Sequence, residues 1–240
     1  MDFAQRVPLP KEQSGRILSW RTIVIGNLLS LLPMILLAAG VIRTLIAIDN
    51  WRGLPNGQNV GNPNVLFNGI LLVSGCVSAA IGFYWFLRNV NRFSGKYVRW
   101  VADNELHSRA DRIVSPDDLD AVFVEIVPRR NWRRLMLETA TDIGYLLVDK
   151  SQKRVLFEGD CERYMIPAGA ISSCQTESAR IGDMEMWFTV IRAVHGSGVE
   201  WEVPVVFRGD MGILGKVTRA ERARTIKSQI DVITDASGTV

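Results

Sequence analysis

The amino-acid sequence predicts a two-helix transmembrane hairpin near the N-terminus, followed by an α+β water-soluble domain of about six or seven antiparallel strands capped by a C-terminal helix. Three observations predict it. Two long runs lack any charge, at 22–42 and 65–87. From Ala121 onward the apolar period changes from helical to extended. A capping pattern, Thr218 with Glu221 three residues later, then opens a terminal amphipathic segment.

The first 21 residues are predicted to be a polar N-terminal segment at the cytoplasmic face. The first span is placed at 22–46; its uncharged core, Thr22 to Ile42, would reach about 31 Å as a helix, against a hydrocarbon core of about 30 Å. Pro33 lies inside it, which a membrane helix tolerates because neighbouring groups re-satisfy the freed carbonyl. The apolar core is too long for a cleaved signal peptide, and Val41 stands where a lipoprotein box would need cysteine. The second span, 65–87, would reach about 34 Å. Ser74, Ser78 and Gly82, four apart, are predicted to be its packing face, with Gly26 and Ser30 as the matching surface on the first span; a homo-oligomer through the same faces is the alternative.

Orientation follows from the flanking charges. Arg6, Lys11, Arg16 and Arg21 precede the first span and Arg88, Arg92, Lys96 and Arg99 follow the second, whereas the connecting loop has Arg43 and Arg52. The positive-inside rule then puts both termini in the cytoplasm and the Gly-, Asn- and Pro-rich loop near 49–64 outside, in a multi-pass protein of the cytoplasmic membrane. Trp20, Trp51, Tyr84 and Trp85 fall near the span ends, where amphipathic rings favour the headgroup layer.

Residues 88–116 are predicted to be a juxtamembrane helix and linker. Its stripe of Arg88, Arg92, Lys96 and Arg99 suits anionic lipid headgroups, at about 1 kcal/mol per basic residue near the surface, or serves only to fix orientation. Ser115 to Asp118 reads as a turn, and the soluble domain is placed at 117–240. Six strands are predicted: Val122 to Val127, Ile143 to Val148, Arg154 to Glu158, Arg163 to Ile166 running loosely on to Ser173, Met186 to Ala193, and Glu200 to Phe207. Asp149 to Lys153 and Gly196 to Gly198 are hairpin turns. The final helix, about four turns long, presents Ala223, Ile226, Ile230 and Ile233 on one face as a cover for the sheet.

The hairpin Gly144 to Asp149 with Arg154 to Gly159, followed by Arg163-Tyr-Met-Ile-Pro and then Ala170-Ile171, resembles the first half of pleckstrin-homology-like and GRAM-like domains of membrane proteins, over residues 121–233. The resemblance implies two bent antiparallel sheets forming a barrel, one open end closed by the C-terminal helix, and binding of lipid or peptide rather than catalysis. The chain departs from it in lacking a lysine-and-arginine pair matching a phosphoinositide signature. The loop after the first strand, where such domains often make headgroup contacts, here carries Arg129, Arg130, Trp132, Arg133 and Arg134. Arginine forks suit phosphate, and tryptophan suits the interface. The competing reading is a solvated basic turn whose tryptophan packs under the sheet.

Other chemistries find little support. A net charge of +3 in 240 residues argues against nucleic acid as a partner. His107 and His195 are far apart, and Cys76, Cys161 and Cys174 match no zinc or redox spacing, so no metal or cofactor is expected. No glycine-rich phosphate loop, dinucleotide fingerprint or nucleophile elbow is present. The polar residues within the spans are Asn27, Asn68 and serines, so no ion pathway is indicated. The reading that results is a membrane-anchored interaction or scaffold protein whose partners are anionic lipids, a protein or a second copy. The alternative is an accessory subunit of a larger membrane complex. A membrane-surface hydrolase, with Cys161 or Cys174 beside His195, comes third.

Overall fold

The computed structural model describes residues 3–52, 63–89, 92–133, 140–181, 184–207 and 216–235, and the chain divides into two compact units. The predicted outside loop falls mostly, and Arg134 entirely, beyond the described residues, as do the side chains of Ser30, Trp85, Arg88, Arg92 and Thr218.

One unit, residues 26–94, is the helical hairpin. Helix α1 runs Trp20–Arg52 and α2 runs Pro63–Asn89; each is long and apolar enough to cross a membrane. Leu28, Ile35, Ile42, Leu66, Ile70 and Val73 are exposed, as apolar residues with no protein partner around the hairpin. The buried seam follows a seven-residue repeat: Gly26, Pro33, Gly40 and Ala47 on α1, and Asn68, Gly75 and Gly82 on α2. The backbones meet there. A Cβ on Gly82 would fall 2.5 Å from the Leu37 nitrogen, one on Gly75 would fall 2.6 Å from Thr44 Oγ1, and one on Gly40 would strike the Ala79 backbone. At the loop end, Asn50 Nδ2 donates to Asn68 Oδ1 at 3.3 Å.

Gly26 and Gly82 of the predicted packing face lie in this seam, but the serine stripe does not make the close approach. Gly82 lies opposite Leu37, not opposite Gly26 and Ser30, and Gly75 and Ala79 make the close approach one position away from Ser74 and Ser78. Ser74 Oγ instead donates to the carbonyl of Leu71. Serine and glycine are both small, so a four-residue spacing alone cannot say which of two adjacent stripes is the seam. Gly75→Val is expected to lower the melting temperature in detergent by several degrees, while Ser78→Val leaves it nearly unchanged; equal shifts in the two would contradict the seam.

The other unit comprises residues 1–25, 95–210 and 214–240. Among the described residues, eight strands form one antiparallel, curled half-barrel: β1 Gln5–Pro8, β2 Val122–Ile126, β3 Asp142–Asp149, β4 Arg154–Gly159, β5 Glu162–Pro167, β6 Ile171–Ile181, β7 Met184–Val194 and β8 Glu200–Phe207, in the order β1-β5-β4-β3-β2-β8-β7-β6. The turns use the residues that the sequence marked. Asp149 Oδ1 accepts from the Ser151 and Gln152 amides, and Gly198, at φ 78°, closes the β7–β8 turn onto His195. Ser115 to Asp118 is a turn, closed by the Asp118 amide on the Ser115 carbonyl at 3.1 Å.

Two strands differ from expectation. The fourth predicted strand does not run on to Ser173; a 3-10 turn at Ala168–Ala170 breaks it after Pro167, and the eleven-residue β6 begins at Ile171. Strand β1 was not foreseen at all. It pairs with β5, and Ala4 reaches the end of β7, donating to the Val194 carbonyl at 3.2 Å.

The sheet is covered on both faces. On the concave face, Val124, Ile126, Leu146, Val148, Val155, Phe157 and Ile166 pack against Ile226, Ile230 and Ile233 of α4, Lys216–Asp235. This is the predicted cover, but the helix starts two residues before Thr218, which therefore lies inside it and is not its cap. On the convex face, Phe123, Ile143, Tyr145 and Leu156 alternate with the concave set. They pack under Val98, Ala102 and Leu106 of α3, Arg92–His107, and under Ile17 from the N-terminal segment. The folded domain is thus not 117–240 alone: residues 3–18 and 95–114 supply half of its second core, and the hairpin is inserted in sequence between them.

Candidate binding surface

The arginine-rich turn after β2 is a 3-10 segment, Arg129–Asn131, and its members part ways. Trp132 is buried: its ring stacks on Phe188 at 4.1 Å and 9°, and its indole N–H donates to the Val127 carbonyl at 2.8 Å. Arg129 lies over that indole, 4.7 Å from its centre. Both Nη atoms donate to Glu177 at 2.6 Å, and Nε donates to Glu202 at 2.7 Å. Arg192 Nε shares Glu202 at 2.8 Å. These guanidinium groups hold the Glu177 and Glu202 carboxyls below their ordinary range.

A phosphate at Arg129 would have to displace two carboxylates already in place, so this fork serves the fold first. Arg130 and Arg133 are exposed. Arg129 and Arg130 also line a cleft of ≈ 400 Å³ together with Arg6, Glu162, Tyr164 and Trp201. Arg6 pairs with Glu162 at 2.7 and 2.8 Å and lies 6.0 Å from the centres of the Tyr164 and Trp201 rings, which fixes β1 to the sheet edge.

Of the juxtamembrane stripe, Lys96 and Arg99 are exposed on α3. Arg99 Nε donates to the Tyr145 hydroxyl at 3.1 Å, and that hydroxyl donates to Asp103. Burial pushes the Tyr145 phenol above its ordinary value.

A buried ionic cluster, which no sequence motif announced, joins the chain segments on either side of the hairpin. Arg109 has a side chain 2% exposed, and Glu158 and Asp160 are at 0%. Arg109 Nη1 donates to Glu158 Oε1 at 3.1 Å and to the Gly159 carbonyl at 2.6 Å; Nη2 donates to the Gln13 carbonyl at 2.9 Å. Asp160 accepts the amides of Arg16, Ile17 and Leu18 at 2.8–2.9 Å. Glu158 also accepts the Ile113 amide at 3.0 Å and Arg163 Nε at 2.9 Å.

Beside it, Asp142 accepts the amides of Ile143, Asp160, Cys161 and Glu162. Burial pushes its carboxyl up to about 7; donation from the Cys161 and Ile143 amides opposes this, and the charge of Asp160 adds to it. An unfolded aspartate titrates near ~4, so through this window the folded form keeps a proton that the unfolded chain has lost, and stability falls as pH rises. The urea midpoint is expected to drop between about pH 4 and pH 7, with a flatter slope in Asp142→Asn; a midpoint that rises across the window would contradict this.

Burial also pushes the Cys161 thiol up to about 11 and the Cys174 thiol up to about 12, so neither is a thiolate near neutrality. His195 Nδ1 is engaged with Ser197 at 3.1 Å. No protein-family model, curated protein or solved structure matches the chain.

Proposed function

We propose that this protein is a membrane-anchored interaction module. Helices α1 and α2 cross the cytoplasmic membrane with both termini inside, and a pleckstrin-homology-like half-barrel meets anionic lipid headgroups or a protein partner at the inner face. The observation that carries this reading is the place of the hairpin in the chain. Two apolar helices are inserted between residues 3–18 and 95–114, and both flanks are built into the core of one folded unit. A domain so joined stays within a short chain length of its anchor on two sides, which raises the local concentration of surface ligands and makes weak contacts effective.

Further support comes from two antiparallel runs, β2–β5 and β6–β8, joined where β8 returns to pair with β2, and from the α4 cover on the concave face. The terminal helix over the sheet is a feature that the resemblance implies, whereas the sheet is a single open half-barrel of eight strands and not the expected barrel of two sheets with six or seven. The exposed apolar surface of the hairpin agrees with lipid as its solvent. The test is carbonate and high-salt washing of membranes, with a cytoplasm-active reporter fused at residue 240. Retention in the pellet with an active reporter is the expected result; release without detergent, or activity only from an outside-facing reporter, would overturn the reading.

A further inference from the structure

We infer that the cleft between α3 and the first half of α4 binds the phosphate of an anionic phospholipid. This deepens the function proposed above and rests on it, but it places the contact away from the arginine-rich turn. The cleft, of ≈ 310 Å³, is lined by Arg99 of α3, Leu119, Phe123, Phe207 at the end of β8, and Arg222 and Ile226 of α4. Two guanidinium groups from distant parts of the sequence therefore border one concavity, with Thr225 and Gln229 of α4 also lining it.

Both arginines are available. Arg99 spends Nε on Tyr145, which steadies its stem; its Nη atoms have no partner among the described residues. Arg222 lies 5.4 Å from the centre of the Phe207 ring and pairs with no described carboxylate. Asp120 also borders the cleft, so cations outnumber carboxylates there by two to one. Arg129, by contrast, is already saturated by Glu177 and Glu202.

Charge along α4 points the same way. Lys216, Arg219 and Arg222 fall in its first seven residues with Glu221 as the one acid among them, while Arg224 further on lies over the Trp187 ring and Lys227 pairs with Asp231. A helix N-terminus is the positive end of its dipole, so cations in the first turn work against the helix. Helix stability therefore does not favour this placement, and an anion held beside Arg222 would offset it. Arginine forks supply the two parallel hydrogen bonds that a phosphate accepts.

The phosphate is assigned to a lipid rather than to a free anion for two reasons. Leu119 is fully exposed at the cleft, and Trp100, beside Arg99 on α3, is 61% exposed, so apolar surface stands next to the cations. Arg99 also follows the last residue of α2, Asn89, by ten residues, most of them helical, which keeps it within a short chain length of the anchor.

The test uses the full-length protein in mild detergent, offered equal phosphatidylglycerol and phosphatidylcholine, with retained lipid counted by native mass spectrometry. The wild type is expected to retain phosphatidylglycerol selectively. Arg222→Gln and, separately, Arg99→Gln are expected to lose that retention about five- to tenfold, at unchanged melting temperature for Arg222→Gln, while Arg133→Gln keeps it. Retention by Arg222→Gln equal to wild type, or equal retention of the two lipids, would overturn the assignment. Full displacement of the lipid by millimolar inorganic phosphate would overturn the lipid as the source. None of these results depends on carbonate extraction, so failure of this site and failure of the membrane anchor are told apart.

Discussion

A fragment spanning residues 113–240 is expected to aggregate or to lack a cooperative unfolding transition, although it contains seven of the eight strands and the covering helix. Cutting there removes Ile17, Val98, Ala102 and Leu106 and bares Phe123, Ile143, Tyr145 and Leu156. Each large side chain returned to water forfeits about 1.5–3 kcal/mol, so the four together forfeit on the order of 6–12 kcal/mol. That is comparable to the whole stability of a domain, about 5–15 kcal/mol. The same cut removes Arg109 and the Arg16–Leu18 amides, leaving Glu158 and Asp160 buried with fewer partners. A variant in which residues 1–19 join residues 95–240 through a flexible Gly/Ser linker of about 20 residues, with a mean reach of about 25 Å, keeps all of these groups. It is expected to be soluble and to unfold in one transition in urea. The inserted-hairpin account fails if the shorter fragment unfolds cooperatively at the same midpoint.

Asp160→Ala carries the second large effect. It leaves the Arg16, Ile17 and Leu18 amides without their acceptor and removes a charge beside Arg109. Breaking a buried ionic arrangement from one side costs about 3–5 kcal/mol. Asp160→Asn keeps one carbonyl oxygen, able to accept two of the three amides, and is expected to cost about 1–3 kcal/mol. Arg16→Ala touches only the exposed pair with Glu105 and is expected to stay within about 1 kcal/mol. Urea titration of the linker-joined variant separates the three; a similar shift for Asp160→Ala and Arg16→Ala would contradict the role given to Asp160.

The parts of the fold that show in the sequence are those with a local period. Helices α1 and α2 are built around long uncharged runs, and β2, β3, β4, β7 and β8 carry dense apolar or β-branched residues. Strand β6 is mostly Ser, Thr, Gln, Glu and Arg, so no alternation marks it. Strand β1 has four residues, all exposed, and one is Pro8. One signal was present in plain view. The run Ile143 to Val148 contains no charged residue, which is the mark of a strand buried on both faces and calls for a second cover besides α4. The buried cluster has no comparable signature, because Arg109 and Glu158 lie 49 residues apart and only the sheet brings them together. At the binding surface, composition located Arg129 and Trp132 but not their engagement with Glu177, Glu202 and Phe188, which depends on the β6–β7–β8 register. Arg222 bears no local mark, because its place beside Phe207 and Arg99 depends on how α4 lies across the sheet.

The segment entering the hairpin belongs to the same folded core as the strands that follow it. Amide hydrogen exchange of the full-length protein in lipid nanodiscs addresses this at the Arg16, Ile17 and Leu18 amides. They are expected to be protected about as strongly as the amides of β3 and β4, and to lose that protection in Asp160→Ala. Exchange at free-chain rates in the wild type, with β3 and β4 still protected, would contradict it.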